Sequence, residues 1–146
     1  MEQIKLDAAS SRILRELQRD SRQTVQELSA KVGLSVSPCW RRVKELEATG
    51  VVRRYTALVE REKVGLSACI LAQVSLLRQT EGAAEQFESA MHACAEVIEC
   101  YSVTGDADYV IKVVLPDVKA YDAFLHRVMF KIKDIGTLRS MVVLRE

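Results

Sequence analysis

The most constraining feature is a pair of helix starts and stops crowded between residues 24 and 50. Thr24 and Glu27 form T-x-x-E, a capping box. The threonine hydroxyl can accept from the backbone N–H of Glu27, and the glutamate can reach back to the N–H of Thr24. Val25, Leu28 and Val32 then recur at helical spacing, and Gly33 can take the left-handed turn that ends a helix, with Leu34 folding back onto it. A further helix begins at once, with Ser37 as its expected N-cap and Pro38 at the first helical position. At 100° per residue, Val36, Cys39, Val43 and Leu46 share one side and Trp40 lies at its edge. Ser37, Arg41, Lys44 and Glu45 lie opposite, and Arg42 is on a flank. Gly50 closes this helix.

Upstream, Leu6, Ile13, Leu14 and Leu17 mark an earlier helix over residues 7–19, with Asp7 placed to cap it. Downstream, residues 51–55 (VVRRY) read as a short strand carrying Arg53 and Arg54. A short capped helix, a glycine turn and a second helix with a basic outer face make a helix-turn-helix spanning residues 25–44, and the strand suggests a wing. Such a unit fits the major groove of double-stranded DNA. Arg41 can read a guanine edge, Ser35 and Ser37 can donate to phosphates or bases, and Arg53 and Arg54 suit phosphates. The candidate DNA-facing set is Ser35, Ser37, Pro38, Arg41, Arg42, Lys44, Arg53 and Arg54. A small tri-helical protein-binding module with a solvated basic face fits the same pattern.

Charge follows the same division. Residues 1–64 carry 13 Lys/Arg against 9 Asp/Glu, and residues 65–146 carry 8 against 11, although the net charge is only +1. A mildly basic front and a mildly acidic back point to two modules. Residues 58–65 (LVEREKVG) read as the linker between a first domain, 1–57, and a second, 66–146.

In the second module, residues 66–77 read as a strand and residues 80–96 as a helix with Ala83, Ala84, Phe87, Ala90, Met91 and Cys94 on one face. Residues 97–103 read as a strand, 105–108 as a turn and 109–115 as a strand. Pro116 breaks the chain, Asp117 caps a helix with Tyr121, Phe124, Leu125 and Val128 inward, and residues 138–144 form the last strand. The order β-α-β-β-α-β implies an α+β protein: a winged helix-turn-helix followed by a ferredoxin-like antiparallel sheet with both helices on one face. The other face needs cover. Ile70, Val113 and Val143 are expected to expose apolar surface there, and a second copy of the sheet is the simplest cover, which predicts a homodimer.

Other classes find less support. Cys39, Cys69, Cys94 and Cys100 include no C-x-x-C pair, and His92, Cys94 and Cys100 lack a local fourth ligand, so no metal or other cofactor is expected. The longest apolar stretch, residues 66–77, is interrupted by Ser and Gln and too short to span a membrane. The N-terminal MEQIKLDAASS has no signal-peptide core, so a cytoplasmic location is expected. His92 and His126 sit on predicted helices with no acid or nucleophile at a readable spacing, and no nucleophile elbow or phosphate loop is present, so an enzyme is not expected.

The residues from Val25 to Leu58 resemble the Lrp/AsnC family, the leucine-responsive regulators of bacteria and archaea. The family pattern of LD, then ELS..VGLS.S...RV..LE..G.I..Y.A, is met by Leu6–Asp7, Glu27–Ser29, Val32–Ser35, Ser37, Arg42–Val43, Leu46–Glu47, Gly50 and Tyr55. The resemblance extends to a tG..DY segment, matched by Thr104, Gly105, Asp108 and Tyr109. It implies a cytoplasmic, nucleoid-associated transcription regulator whose second domain senses a small molecule, an amino acid. It implies dimers that assemble further, to octamers. The effector site it implies comprises Tyr101, Ser102, Thr104, Gly105, Asp106 and Asp108. Read from the residues alone, G-D-A-D is equally a hairpin turn. As a site, N–H groups around Gly105 would hold a carboxylate, and Asp106 or Asp108 an ammonium. Ser102 and Ala107 stand where the family often carries larger apolar residues. The family's polar tail, K.TT.LP or similar, is also expected past the last strand, whereas the sequence ends at Leu144–Arg145–Glu146. An architectural, nucleoid-type DNA binder without an effector is the alternative reading.

Overall fold

A computed structural model describes residues 5–77 and 81–145, with the side chain of Glu81 excepted. The expected helix start at Thr80 lies outside the described residues. The chain divides into two compact units, Met1–Leu58 and Val59–Glu146.

The first unit is three helices: α1 (Ala8–Arg19), α2 (Val25–Val32) and α3 (Val36–Ala48). Asp7 caps α1 by accepting from the Ser10 N–H at 2.7 Å. The capping box of α2 is complete: the Thr24 N–H donates to Glu27 Oε2 at 2.7 Å, and the Glu27 N–H donates back to Thr24 Oγ1 at 3.3 Å. Gly33 ends α2 at φ 69° and ψ 41°, and both its N–H and that of Leu34 donate to the Ser29 carbonyl. Arg12 also donates from Nε to the Val32 carbonyl at 3.1 Å, satisfying an acceptor left open by the helix end. Ile13, Leu28, Val32, Cys39, Val43 and Leu46 form the buried centre, with Leu14, Leu17, Leu34, Val51 and Val52 packed around it.

Two expectations change here. The N-cap of α3 is Ser35, and Ser37 and Pro38 are the second and third helical residues. Proline is tolerated there because first-turn N–H groups have no intrahelical acceptor; the first helical bond, from Cys39 N–H to Ser35 C=O, comes one residue later. The wing strand is absent from residues 51–55, which are a bend followed by irregular chain. Val51 and Val52 pack on the helices, and no described strand of this unit lies alongside to make a ladder.

The second unit opens with a 3-10 turn, Arg61–Val64, ended by Gly65. Arg61 donates to the carbonyls of Leu66 and Ser67, so part of the expected linker is tied to the domain that follows. The elements then run β1 (Ala68–Leu76), α4 (Glu81–His92), β2 (Val97–Ser102), β3 (Tyr109–Leu115), α5 (Val118–Arg127), a 3-10 turn (Met129–Lys131) and β4 (Ile135–Val142). The strand order is β2-β3-β1-β4 and every neighbour is antiparallel, which is the ferredoxin-like arrangement. Asp117 caps α5 through the Ala120 N–H at 2.7 Å. Phe87 and Met91 of α4 and Tyr121 and Phe124 of α5 pack with Met129 onto Ala68, Ile70, Ala72, Val74, Tyr109, Ile111, Val113 and Leu115.

The strand parity differs from expectation. Ile70 and Val113 are register partners, each 0% exposed, on the helix-covered face. The face away from the helices carries the alternate residues: Lys112, Leu71 and Met141 in one row, and Val110, Gln73 and Arg139 in the next. It is a mixed surface, apolar in part and charged in part. Val143, just past β4, is half-buried and donates its N–H to the Cys69 carbonyl.

Candidate nucleic-acid interface and effector site

The packing of α3 decides which of its side chains face outward. Cys39, Val43 and Leu46 are buried, so the opposite surface carries Ser37, Arg41 and Lys44 in the open. Ser35 makes no capping bond with its hydroxyl, leaving the oxygen exposed at the start of the helix beside Pro38. Among the described residues Arg41, Arg53 and Arg54 make no ion pair, and all three are exposed. Lys44 is paired at 2.7 Å with Glu47, which also accepts from the Tyr55 hydroxyl at 2.9 Å. Both bonds hold the Glu47 carboxyl below the usual range, the lysine contact contributing most.

Arg42 is placed differently from the expected DNA-facing set. Its guanidinium turns toward α1, 2.6 Å from Asp7 Oδ2 and 3.3 Å from Ser10 Oγ. The Ser10 backbone N–H, with this guanidinium behind it, lowers the pKa of Asp7. One carboxylate therefore caps α1 and anchors α3. Two large apolar residues outside the expected set are exposed on the same helix: Trp40, 53% exposed, and Val36, 42% exposed. Their apolar character suggested the core; the angular position of Trp40, at the edge of the buried side, was the available signal.

The same unit holds an open cleft of about 590 Å³, lined by the end of α1, residues 20–22 and residues from 51 to 58. Leu14, Leu17, Val51 and Val52 form its apolar floor, and Arg19, Arg22, Arg53 and Arg54 line it as well. Arg53 and Arg54 thus sit on irregular chain rather than on a wing strand, within the same compact unit as α3.

In the second unit, Thr104–Asp108 joins β2 to β3. The Val103 N–H donates to the Asp108 carbonyl at 2.9 Å, and Gly105 stands at φ 118°, a conformation that side chains resist. Tyr101, Ser102, Thr104, Gly105 and Asp106 are exposed. Asp108 is half-buried, and its carboxylate accepts the Leu76 N–H at 2.7 Å, beyond the end of the β1–β3 ladder. Its own N–H donates to the Val74 carbonyl at 3.0 Å. This aspartate thus ties the turn to the end of β1. Tyr101 donates to Glu99 at 3.0 Å, and that bond raises the pKa of its phenol.

Asp106 borders a hollow of about 70 Å³ with Ala107, Gln73, Ser75, Thr137 and Arg139. The Ser75 hydroxyl donates to the Asp106 carbonyl at 3.2 Å. Asp106, Arg139, Ser75 and Thr137 therefore line one small depression. Sequence reasoning found only Asp106, because the others come from β1 and β4, distant in sequence and joined by pairing such as Ser75 with Thr137. Among the described residues no group of three His, Cys, Asp or Glu is placed to hold a metal, and no helix is long and apolar enough to cross a membrane.

Comparison with known proteins agrees across both units. The profile described as winged helix-turn-helix DNA-binding matches residues 6–53, and that described as the Lrp/AsnC ligand binding domain matches residues 69–146. The chain is 38% identical over 141 residues to the leucine-responsive regulatory protein of Klebsiella pneumoniae, covering 97% of this chain and 86% of that one. Among solved structures, a transcriptional regulator of Neisseria meningitidis in complex with L-methionine is 36% identical, with a TM-score of 0.92 over 97% of this chain and 92% of its own. An AsnC family transcriptional regulator from Agrobacterium tumefaciens is also 36% identical, with a TM-score of 0.91 over the same shares.

Proposed function

Because this chain belongs to the Lrp/AsnC family of transcriptional regulators, we propose that it reads particular DNA sequences through α3 and that a free amino acid sets how tightly it does so. Membership makes it a DNA-binding regulator built from a helix-turn-helix and a ligand-binding domain, with a regulatory role rather than a catalytic one. The observation that carries the sequence-reading part is the outward face of α3, where Ser37 and Arg41 are exposed and Arg41 has no ion-pair partner among the described residues. Arg41 reads base edges, Ser35 and Ser37 donate to bases or phosphates at the helix start, and Lys44, Arg53 and Arg54 contact phosphates. Arg42 acts through Asp7 by holding α3 on α1.

The effector site is the depression at the end of the sheet. Asp106 faces the ammonium and Arg139 the carboxylate of an α-amino acid, with Ser75, Thr137 and the N–H groups around Gly105 as further partners. Asp108 shapes the turn rather than binding. The depression is small, about 70 Å³, and in this reading a second copy supplies its remaining wall. That supports an assembly of dimers, each joined through the open sheet face and capable of growing to an octamer. Each dimer presents two α3 helices to half-sites about one helical turn apart. The names of the similar proteins, one leucine-responsive and one solved with L-methionine, support the choice of an amino acid. Action in the cytoplasm of a bacterial or archaeal cell, on the nucleoid, belongs to the same reading.

A thermal-shift screen of the twenty amino acids against the purified chain tests the sensor. One or a few should raise the melting temperature by mass action, and Arg139→Gln should remove that rise while leaving the unliganded midpoint in place. A response unaltered by Arg139→Gln would place the site elsewhere.

A further inference from the structure

The one tryptophan of the chain stands on the helix proposed to enter DNA, and it is not buried. Trp40 is 53% exposed, and Val36, one turn before it, is 42% exposed. Val36, Trp40 and Lys44 follow one another at four-residue spacing and so form one ridge of α3; Ser37 and Arg41 form the next. An apolar ridge therefore lies directly beside the cationic one. Neither side chain belongs to the buried cluster of the first unit or to the residues packed around it.

Placed in a major groove, this ridge has one apolar complement on the base edges. Guanine, cytosine and adenine present only donors and acceptors there, whereas thymine adds a C5-methyl group. The neighbouring cations suit a polyanion, and Arg41, Arg53 and Arg54 make no ion pair among the described residues. We propose that Trp40, flanked by Val36, is a specificity-determining residue that packs on thymine methyl groups, so that the preferred half-site combines a guanine opposite Arg41 with thymine beside it. The inference rests on the DNA-reading role of α3 and adds the base that its apolar ridge selects.

The test uses the full-length chain and a duplex it enriches from a randomised pool. Each thymine is replaced in turn by deoxyuridine, which removes the methyl group and keeps the pairing. One or two positions per half-site should weaken wild-type binding about three- to fivefold, the effect of losing one buried methyl-sized contact. Trp40→Ala should bind the thymine and deoxyuridine duplexes alike. In the wild type, indole emission reports independently of any variant: the change on binding should shrink with deoxyuridine at those positions only. Binding that is indifferent to every thymine-to-uracil change, or a penalty equally present in Trp40→Ala, would overturn the role of Trp40 and leave DNA reading by α3 standing. Failure to retain any duplex would overturn both.

Discussion

The turn between α2 and α3 rests on a backbone conformation that only glycine adopts without strain, and the cost of changing it can be worked from the geometry. Gly33 stands at φ 69°, and a Cβ built there meets no atom within 4 Å. Gly33→Ala therefore causes no clash, and the whole penalty is the left-handed backbone of an L-residue, about 1–2 kcal/mol. Alanine also restricts the unfolded chain, which offsets about 0.4–1 kcal/mol. The net loss should be about 1 kcal/mol, and for a unit the size of Met1–Leu58 each kcal/mol lowers the midpoint by about 4–8 °C. Gly33→Asn should lose less, since asparagine tolerates this region better. Thermal unfolding followed by circular dichroism and by Trp40 emission measures both, because the only tryptophan lies in the first unit. A loss above about 3 kcal/mol would mean a steric contact the geometry excludes. A Gly33→Ala protein as stable as the wild type would mean that the turn does not need the left-handed residue.

Four further outcomes follow. Arg53→Ala with Arg54→Ala should flatten the salt dependence of DNA binding, by roughly 0.9 in log–log slope for each phosphate contact removed, in a titration repeated across salt concentrations; an unchanged slope would take these residues out of the interface. Tyr109 is buried against Phe87 and donates to Glu88 at 2.8 Å, and burial first, then that carboxylate, pushes its phenol up to about 12. A folded value above the unfolded one near 10 means that its stabilisation is complete below about pH 10 and is lost as pH rises toward 12, which tyrosinate absorbance and alkaline unfolding should both register. Phe87→Ala should destabilise the second unit by about 3–5 kcal/mol in chemical denaturation, since its ring is 0% exposed and 4.6 Å from that of Tyr109. Thr24 bonds, backbone first, depress the Glu27 carboxyl, so the capping box contributes above the ordinary carboxylate range and fades as pH falls through the depressed value; acid titration of Glu27→Gln should lack that component.

Much of the fold was legible because local chemistry marked it. The box at Thr24 and Glu27, Gly33, Asp7 and Asp117 each act within four residues, and each appears where the sequence placed it. What escaped depends on distant partners. Residues 51–55 have the composition of a strand, but a strand needs a neighbour and the first unit supplies none among its described residues. Ile70 and Val113 sit in runs that are apolar on both faces, where alternation cannot fix parity. Arg42 follows a helical period that leaves it on a flank, and Asp7 and Ser10, thirty-five and thirty-two residues earlier, turn it toward α1. In the depression beside the β2–β3 turn, Asp106 is legible as part of a turn, whereas Ser75, Thr137 and Arg139 become its neighbours only through the antiparallel register of β1 with β4.

In the proposed function, one unit of this chain holds DNA and the other, through an amino acid, sets the grip. The direct measurement is the dissociation constant of the full-length chain for its enriched duplex, by fluorescence anisotropy, with each of the twenty amino acids present in turn. At least one should change that constant reproducibly, and Arg139→Gln should erase the change while preserving affinity in its absence. Tight, sequence-dependent binding that no amino acid alters would refute this coupling between the two units.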